Sequence, residues 1–169
     1  MDISTELKQI TVRSMRGGAF SFGPYDFRVD RGSILGNPYE MAKDESNRDR
    51  VCLAYKHWLY ANIQCWLDLK NKAIAKPLWG AIYIDPKSMA IASDLRIAMS
   101  WKQVTVAQVE SEFTRLCYEA TQHDINLICW CFPKACHADV LRAALIWYYE
   151  AHYLKECARI ETTIKEFFG

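Results

Sequence analysis

The chain has 169 residues, 51% of them hydrophobic, 13% aromatic and 24% charged. That is the size of one domain, with enough apolar side chains to bury a core, and it excludes a disordered chain. Twenty-one basic residues against 20 acidic give a net charge of +1, which excludes a protein basic all over, of the kind that coats nucleic acid, and leaves room for a local anion site.

In chain order, Ile10 to Ser14 is a short β-branched run that reads as a strand, followed by a glycine-rich loop from Met15 to Pro24. Tyr25 to Val29 alternates apolar and charged residues with a period of two, the pattern of a second strand. The stretch Asp30-Arg31-Gly32-Ser33-Ile34-Leu35-Gly36-Asn37-Pro38-Tyr39 then offers glycine for positive φ, a polar side chain and a fixed proline, and reads as a tight, ordered loop. From Asn47, Val51, Tyr55, Trp58, Leu59, Asn62, Ile63, Trp66 and Leu67 recur at helical spacing, and Lys70 to Lys76 closes this long helix before Pro77. Trp79–Ile84 and Met89–Ala92 flank Asp85-Pro86-Lys87-Ser88 and predict a small hairpin. Thr105 and Gln108 form a capping box ahead of a second amphipathic helix that ends near His123.

Ile125 to Cys131 is almost wholly apolar, as a strand covered on both faces must be, and is placed centrally in the sheet until Pro133 breaks it. A helix begins at His137, and helical spacing continues to Phe167 as one helix or as two joined near His152. Strands and helices interleaved in this order predict an α/β fold: a single layered domain with a small central sheet flanked by helices and a long C-terminal helical segment. Residues 70–105 read as an insertion, and 150–169 as a helical C-terminal extension. In such folds ligands gather at the carboxyl ends of the central strands, which directs attention to the loops after the second and third strands.

The seven cysteines form an odd number, the first nine residues are polar and charged, and no apolar run reaches the roughly 20 residues that span a bilayer. These features predict no membrane partner and a cytoplasmic location, where thiols stay reduced and clustered cysteines point to metal, catalysis or packing. Cys129-Trp130-Cys131-Phe132-Pro133-Lys134-Ala135-Cys136-His137-Ala138-Asp139 brings three thiols, an imidazole and a carboxylate into eleven residues. On a strand Cys129 and Cys131 share a face, with Trp130 buried on the other. Three readings compete. Cys129, Cys131, Cys136 and His137 are a zinc ligand set, although successive residues at a helix start diverge by about 100° and would bring Cys136 and His137 to one ion with difficulty. Alternatively, Cys136 is a thiolate activated by the helix start and His137, with Asp139 orienting the imidazole. In the third reading the cysteines only pack, and His137 caps the helix. No cofactor is the expectation, with zinc as the alternative these residues leave open.

Six of the ten arginines, Arg13, Arg16, Arg28, Arg31, Arg48 and Arg50, fall in positions 13–50 beside a single lysine, Lys43. Their planar forks match phosphate or carboxylate, so the loop of Arg31, Gly36, Asn37 and Pro38 near a helix start is a candidate anion site, unless these arginines pair with Asp26, Asp30, Glu40 or Asp44 on the surface. Between Lys70 and Lys102 six basic residues interleave with Trp79, Tyr83 and Trp101, a weaker signal for single-stranded nucleic acid.

The D-R-G-S-I-L-G-N-P-Y loop, Arg48 and Tyr55 on the first helix, and the C-W-C-F-P-K-A-C-H-A-D-V-L segment together resemble an uncharacterised domain of phages and bacteria, domain of unknown function 4326. The resemblance covers roughly 10–69 and 124–147, with Ala138 where a glycine is common. It implies a shared site in a bacterial or phage-infected cell rather than a reaction. The leading expectation is a pocket between the two loops that takes a phosphorylated small ligand, a nucleotide or a nucleoside or sugar phosphate. Its contacts are expected from Arg31, Gly36, Asn37, Pro38, Arg48, Tyr55, Cys131 and Pro133. Cys136, His137 and Asp139 would then serve transfer or cleavage at a glycosidic carbon. The alternatives are a non-catalytic phage-type module recognising a nucleotide signal or a host protein, with aromatic helical faces supporting oligomers, and a zinc-stabilised protein contacting nucleic acid.

Overall fold

The computed structural model describes residues 6–16, 21–72, 95–96, 104–131 and 133–168. Among the described residues three strands, β1 (Ile10–Ser14), β2 (Asp26–Arg28) and β3 (Ile125–Cys129), form one parallel sheet in the order β1-β3-β2. The apolar β3 lies in the middle, as its composition predicts, with Val12 and Phe27 in register on either side of Leu127. One polar seam crosses the sheet: Thr11 hydrogen-bonds Asn126, and Asn126 Nδ2 donates to Asp26 Oδ1 at 2.7 Å. A half-buried asparagine on the central strand, satisfied from both neighbours, fixes register, because a slip by one residue would strand its amide.

Helix α1 (Arg48–Lys72) supplies the largest buried face, with Val51, Tyr55, Trp58, Leu59, Ile63 and Trp66. Helix α2 (Val106–Gln122) starts from the predicted capping box: Thr105 Oγ1 accepts from Gln108 N at 3.2 Å and Gln108 Oε1 from Thr105 N at 2.8 Å. Helix α3 (His137–Tyr148) packs on β1 and β3 and against α1. Where the three helices meet, the rings of Trp66, Phe113 and Tyr148 interlock with centroids 5.4–6.3 Å apart. After α3 the chain passes through one π-helical segment, Tyr149–Tyr153, and continues as α4 (Leu154–Phe168). Of the two readings the sequence left open, one long helix or two joined near His152, the run is continuous, with a π-helical widening at that place. No helix among the described residues is long and apolar enough to cross a membrane.

Two expectations change. The third strand ends at Cys129, two residues before the predicted limit, and Trp130 is 51% exposed instead of buried. With the strand finished, the alternation that would have turned Trp130 inward no longer applies. The predicted hairpin at 79–92 and the basic, aromatic stretch around it lie outside the described residues; of the 70–105 insertion, Leu95 packs against the core and the Arg96 carbonyl accepts from Glu40 N at 2.8 Å.

Candidate functional site

The loop after β2 is organised by one buried carboxylate. Asp30 accepts from Arg28 Nε and Nη2 at 2.7 and 2.8 Å, from the Gly32 amide at 3.1 Å and from Trp130 Nε1 at 3.0 Å. Burial opposes ionisation of Asp30, but the bonds from Arg28, Gly32 and Trp130 outweigh it and hold the carboxyl below its ordinary value. Gly36 has a steric purpose: a Cβ there would stand 2.0 Å from the Asp30 carbonyl oxygen and 2.9 Å from Arg31 Cα. Close backbone approach, and not the positive φ anticipated from the sequence, is what requires glycine. Asn37 is buried, accepting from Tyr39 N at 2.9 Å and donating to the Val51 carbonyl at 3.2 Å, so it ties the loop to α1. Tyr55 does the same from the helix side, donating to the Leu35 carbonyl at 2.7 Å.

Behind this loop the cysteine segment folds into a compact cluster. The ligand atoms of Cys129, Cys131, Cys136 and His137 all lie within 4.8 Å of one another. Cys129 Sγ and Cys136 Sγ are 3.1 Å apart, and His137 Nδ1 is 3.9 and 3.8 Å from them. The divergence expected of Cys136 and His137 does not occur, because Cys136 is the N-cap of α3 with extended dihedrals (φ −138°, ψ 145°) and has not yet entered the helix. Its sulfur accepts from the Ala138 amide at 3.4 Å, so Cys136, not His137, caps the helix. His137 Nε2 meets the Val29 carbonyl at 2.6 Å. A proton placed on Nε2 to satisfy that carbonyl leaves the Nδ1 lone pair toward the thiols. Tyr55 closes the other side of the imidazole, edge-on with centroids 5.1 Å apart.

The first turn of α1 clamps the cluster from outside. Arg48 Nη1 donates to the Ala135 carbonyl at 2.9 Å, and Arg48 Nη2 and Lys134 Nζ lie 2.8 and 2.7 Å from Glu45 Oε2. Glu45 holds a positive φ of 61°, a strained backbone for a non-glycine residue, and the bonds of Lys134 and Arg48 pull its carboxyl down to about 2. Bonds from Cys129 and Cys136, and then the Arg48 guanidinium, hold the Cys131 thiol far below the ordinary thiol range. The same bonds act in reverse on the other two: Cys129 is raised to about 12 by its bond to Cys131, and Cys136 rises further through its bonds to Cys129 and Cys131. Burial pushes His137 down, which keeps it neutral. Within the cluster the lowered thiol is Cys131, while Cys136, which the sequence put forward as the activated one, is raised by its bonds to Cys129 and Cys131.

The two loops enclose a cavity of about 500 Å³ at the carboxyl end of the sheet. Its floor is the Cys129, Cys131, Cys136 and His137 cluster; its walls carry Arg28, Asp30, Arg31, Asn37, Lys43 and Trp130. Among the described residues no carboxylate lies within ion-pair distance of Arg31 or Lys43. Of the residues singled out in the sequence, Arg31, Asn37, Cys131, Cys136 and His137 face the cavity. Gly36, Pro38, Arg48 and Tyr55 stand behind it, and Pro133 is exposed outside it. Asp139 does not orient His137: the Val29 carbonyl does, while Asp139 lies 3.9 Å from Arg142 on the outer face of α3. The pairing of Arg28 with Asp30 that the sequence offered forms; Asp30, Trp130 and Lys43 were named there without a place in the site, and Glu45 was passed over. The Asp30-x-Gly32 spacing, which suits a carboxylate accepting the amide two residues on, was the available signal for Asp30; for Glu45 only the nearby Arg48 could have been read, since Lys134 and Arg16 are distant in the chain.

The family model described as Domain of unknown function (DUF4326) matches residues 12–147. That span takes in the last three residues of β1, both loops and all but the last residue of α3, and so every residue of the cavity. No curated protein and no solved structure matches.

Proposed function

The chain belongs to the DUF4326 family, and for it we propose a ligand-binding role in which the cavity takes a phosphorylated small molecule and the cluster beneath it holds zinc. One observation carries the reading: two cations without carboxylate partners among the described residues, Arg31 and Lys43, converge on the same cavity as a four-ligand cluster of soft donors. Three thiols and a neutral imidazole are the donors that select zinc over hard cations. Ligands about 2.3 Å from a tetrahedral ion stand about 3.8 Å apart, and the imidazole contacts at 3.8 and 3.9 Å already match. The 3.1 Å between Cys129 and Cys136 would open by about 0.7 Å. His137 also carries the outer hydrogen bond, to a backbone carbonyl, that metal-bound histidines use to fix their tautomer.

Four protein ligands complete a tetrahedron and leave no open position, the arrangement of a structural site. Zinc would thus hold the segment from Cys129 to His137 in one conformation and give the cavity its floor, while Arg31 and Lys43 supply the affinity. This supports binding over turnover at a glycosidic carbon, because Cys136 is committed to the cluster and to capping α3. Calorimetric titration with ribose 5-phosphate tests the anion contact. Arg31→Ala is expected to weaken binding about tenfold, the equivalent of one charge-assisted hydrogen bond. Unchanged affinity, or wild-type protein that ignores the phosphate, would contradict it.

A further inference from the structure

Trp130 is the largest exposed aromatic of the cavity wall: its neighbours on β3 bury the core, while its own ring is half exposed. An exposed tryptophan is usually free to rotate. This one is not, because its Nε1 donates to Asp30 Oδ2 at 3.0 Å, and Asp30 is itself buried and held by Arg28 and the Gly32 amide. A Cβ on Gly32 would come within 3.1 Å of Arg28 Nη2, so the glycine keeps room for this arrangement. The ring is therefore presented at a fixed orientation, immediately after the central strand, in a cavity of about 500 Å³ that suits a ligand of several rings. Flat apolar surface held rigid beside cations that have no carboxylate partner among the described residues is the complement of a molecule with a planar ring at one end and an anion at the other.

We infer that Trp130 is a stacking platform for a nucleobase, so that the ligand of the cavity is a nucleotide and not a sugar phosphate. Asp30 is its positioning residue, locking the indole through Nε1. The inference rests on the phosphate reading above and narrows it, since a sugar phosphate has no π-face to stack. Titrations with adenosine 5′-monophosphate and with ribose 5-phosphate separate the two. Wild-type protein is expected to bind the nucleotide about tenfold more tightly than the sugar phosphate. Trp130→Ala should remove that advantage and leave ribose 5-phosphate binding unchanged, which also shows that the variant is folded; Trp130→Phe should retain most of it. Equal binding of the two probes by wild-type protein would overturn the platform while leaving the phosphate contact standing, as would a Trp130→Ala variant that keeps the preference or loses both probes alike. If neither probe binds wild-type protein, the phosphate reading fails and the platform with it.

Discussion

A methyl group on Gly36 would collide with backbone, not with a side chain that could swing away. Gly36→Ala is accordingly expected to cost about 3 kcal/mol in a urea melt, at the upper end of overpacking penalties, whereas Gly23→Ala, whose nearest atom is an Asp26 carboxylate oxygen at 3.5 Å, should be nearly neutral. Residue types were the most legible part of the site: three cysteines, one histidine and an arginine-bearing loop can be read off the chain, and the structure brings them to one cavity. Their roles were less legible, because those depend on a single backbone state. Treating Cys136 as already helical pointed it away from His137; its extended dihedrals place it beside the imidazole. Treating Trp130 as part of a strand buried it; the strand ends one residue earlier. Asp139 looked like the partner of His137 by proximity in sequence, yet a carbonyl 108 positions away supplies that bond.

At the scale of elements, the start of α1 is where the two loops are joined. Glu45 collects Arg48 and Lys134 at 2.8 and 2.7 Å and Arg16 at 3.8 Å, linking the end of β1, the helix start and the cysteine segment. The Glu45 carboxyl is held at about 2 in the folded chain against an ordinary value of 4.5, so its contribution is complete above about pH 4.5 and is lost as pH falls toward 2. The stability difference between wild type and Glu45→Gln should therefore be constant near neutral pH and shrink to nothing between those limits; a difference that persists at pH 2 would show that charge is not its source. Farther along α1, Trp66 is buried between Phe113 and Tyr148, and Trp66→Ala is expected to cost about 3–5 kcal/mol by leaving a cavity where three helices meet. These helices, the capping box and the central strand were legible because periodicity and end signals are local. The Glu45 contacts were not, since they join residues up to 89 positions apart.

Over the whole molecule, a charge of +1 conceals an uneven distribution. Several arginines of the first third are neutralised by Asp26, Asp30 and Glu45, leaving Arg31 and Lys43 to face the cavity. Three thiolates and one zinc ion would bring a net negative charge to its floor, and Arg48, which faces Cys131, stands where that charge would be balanced. Metal and ligand would then be parts of one site, the first setting the shape that the second fills. Native mass spectrometry of the freshly purified chain, with and without adenosine 5′-monophosphate, measures both together. The expected result is a folded chain carrying one zinc ion, which is lost when Cys129, Cys131 and Cys136 are all replaced by serine, and which takes up one nucleotide only in the zinc-bearing form. A folded chain that carries no zinc, or one that binds the nucleotide equally well after the metal is removed, would contradict it.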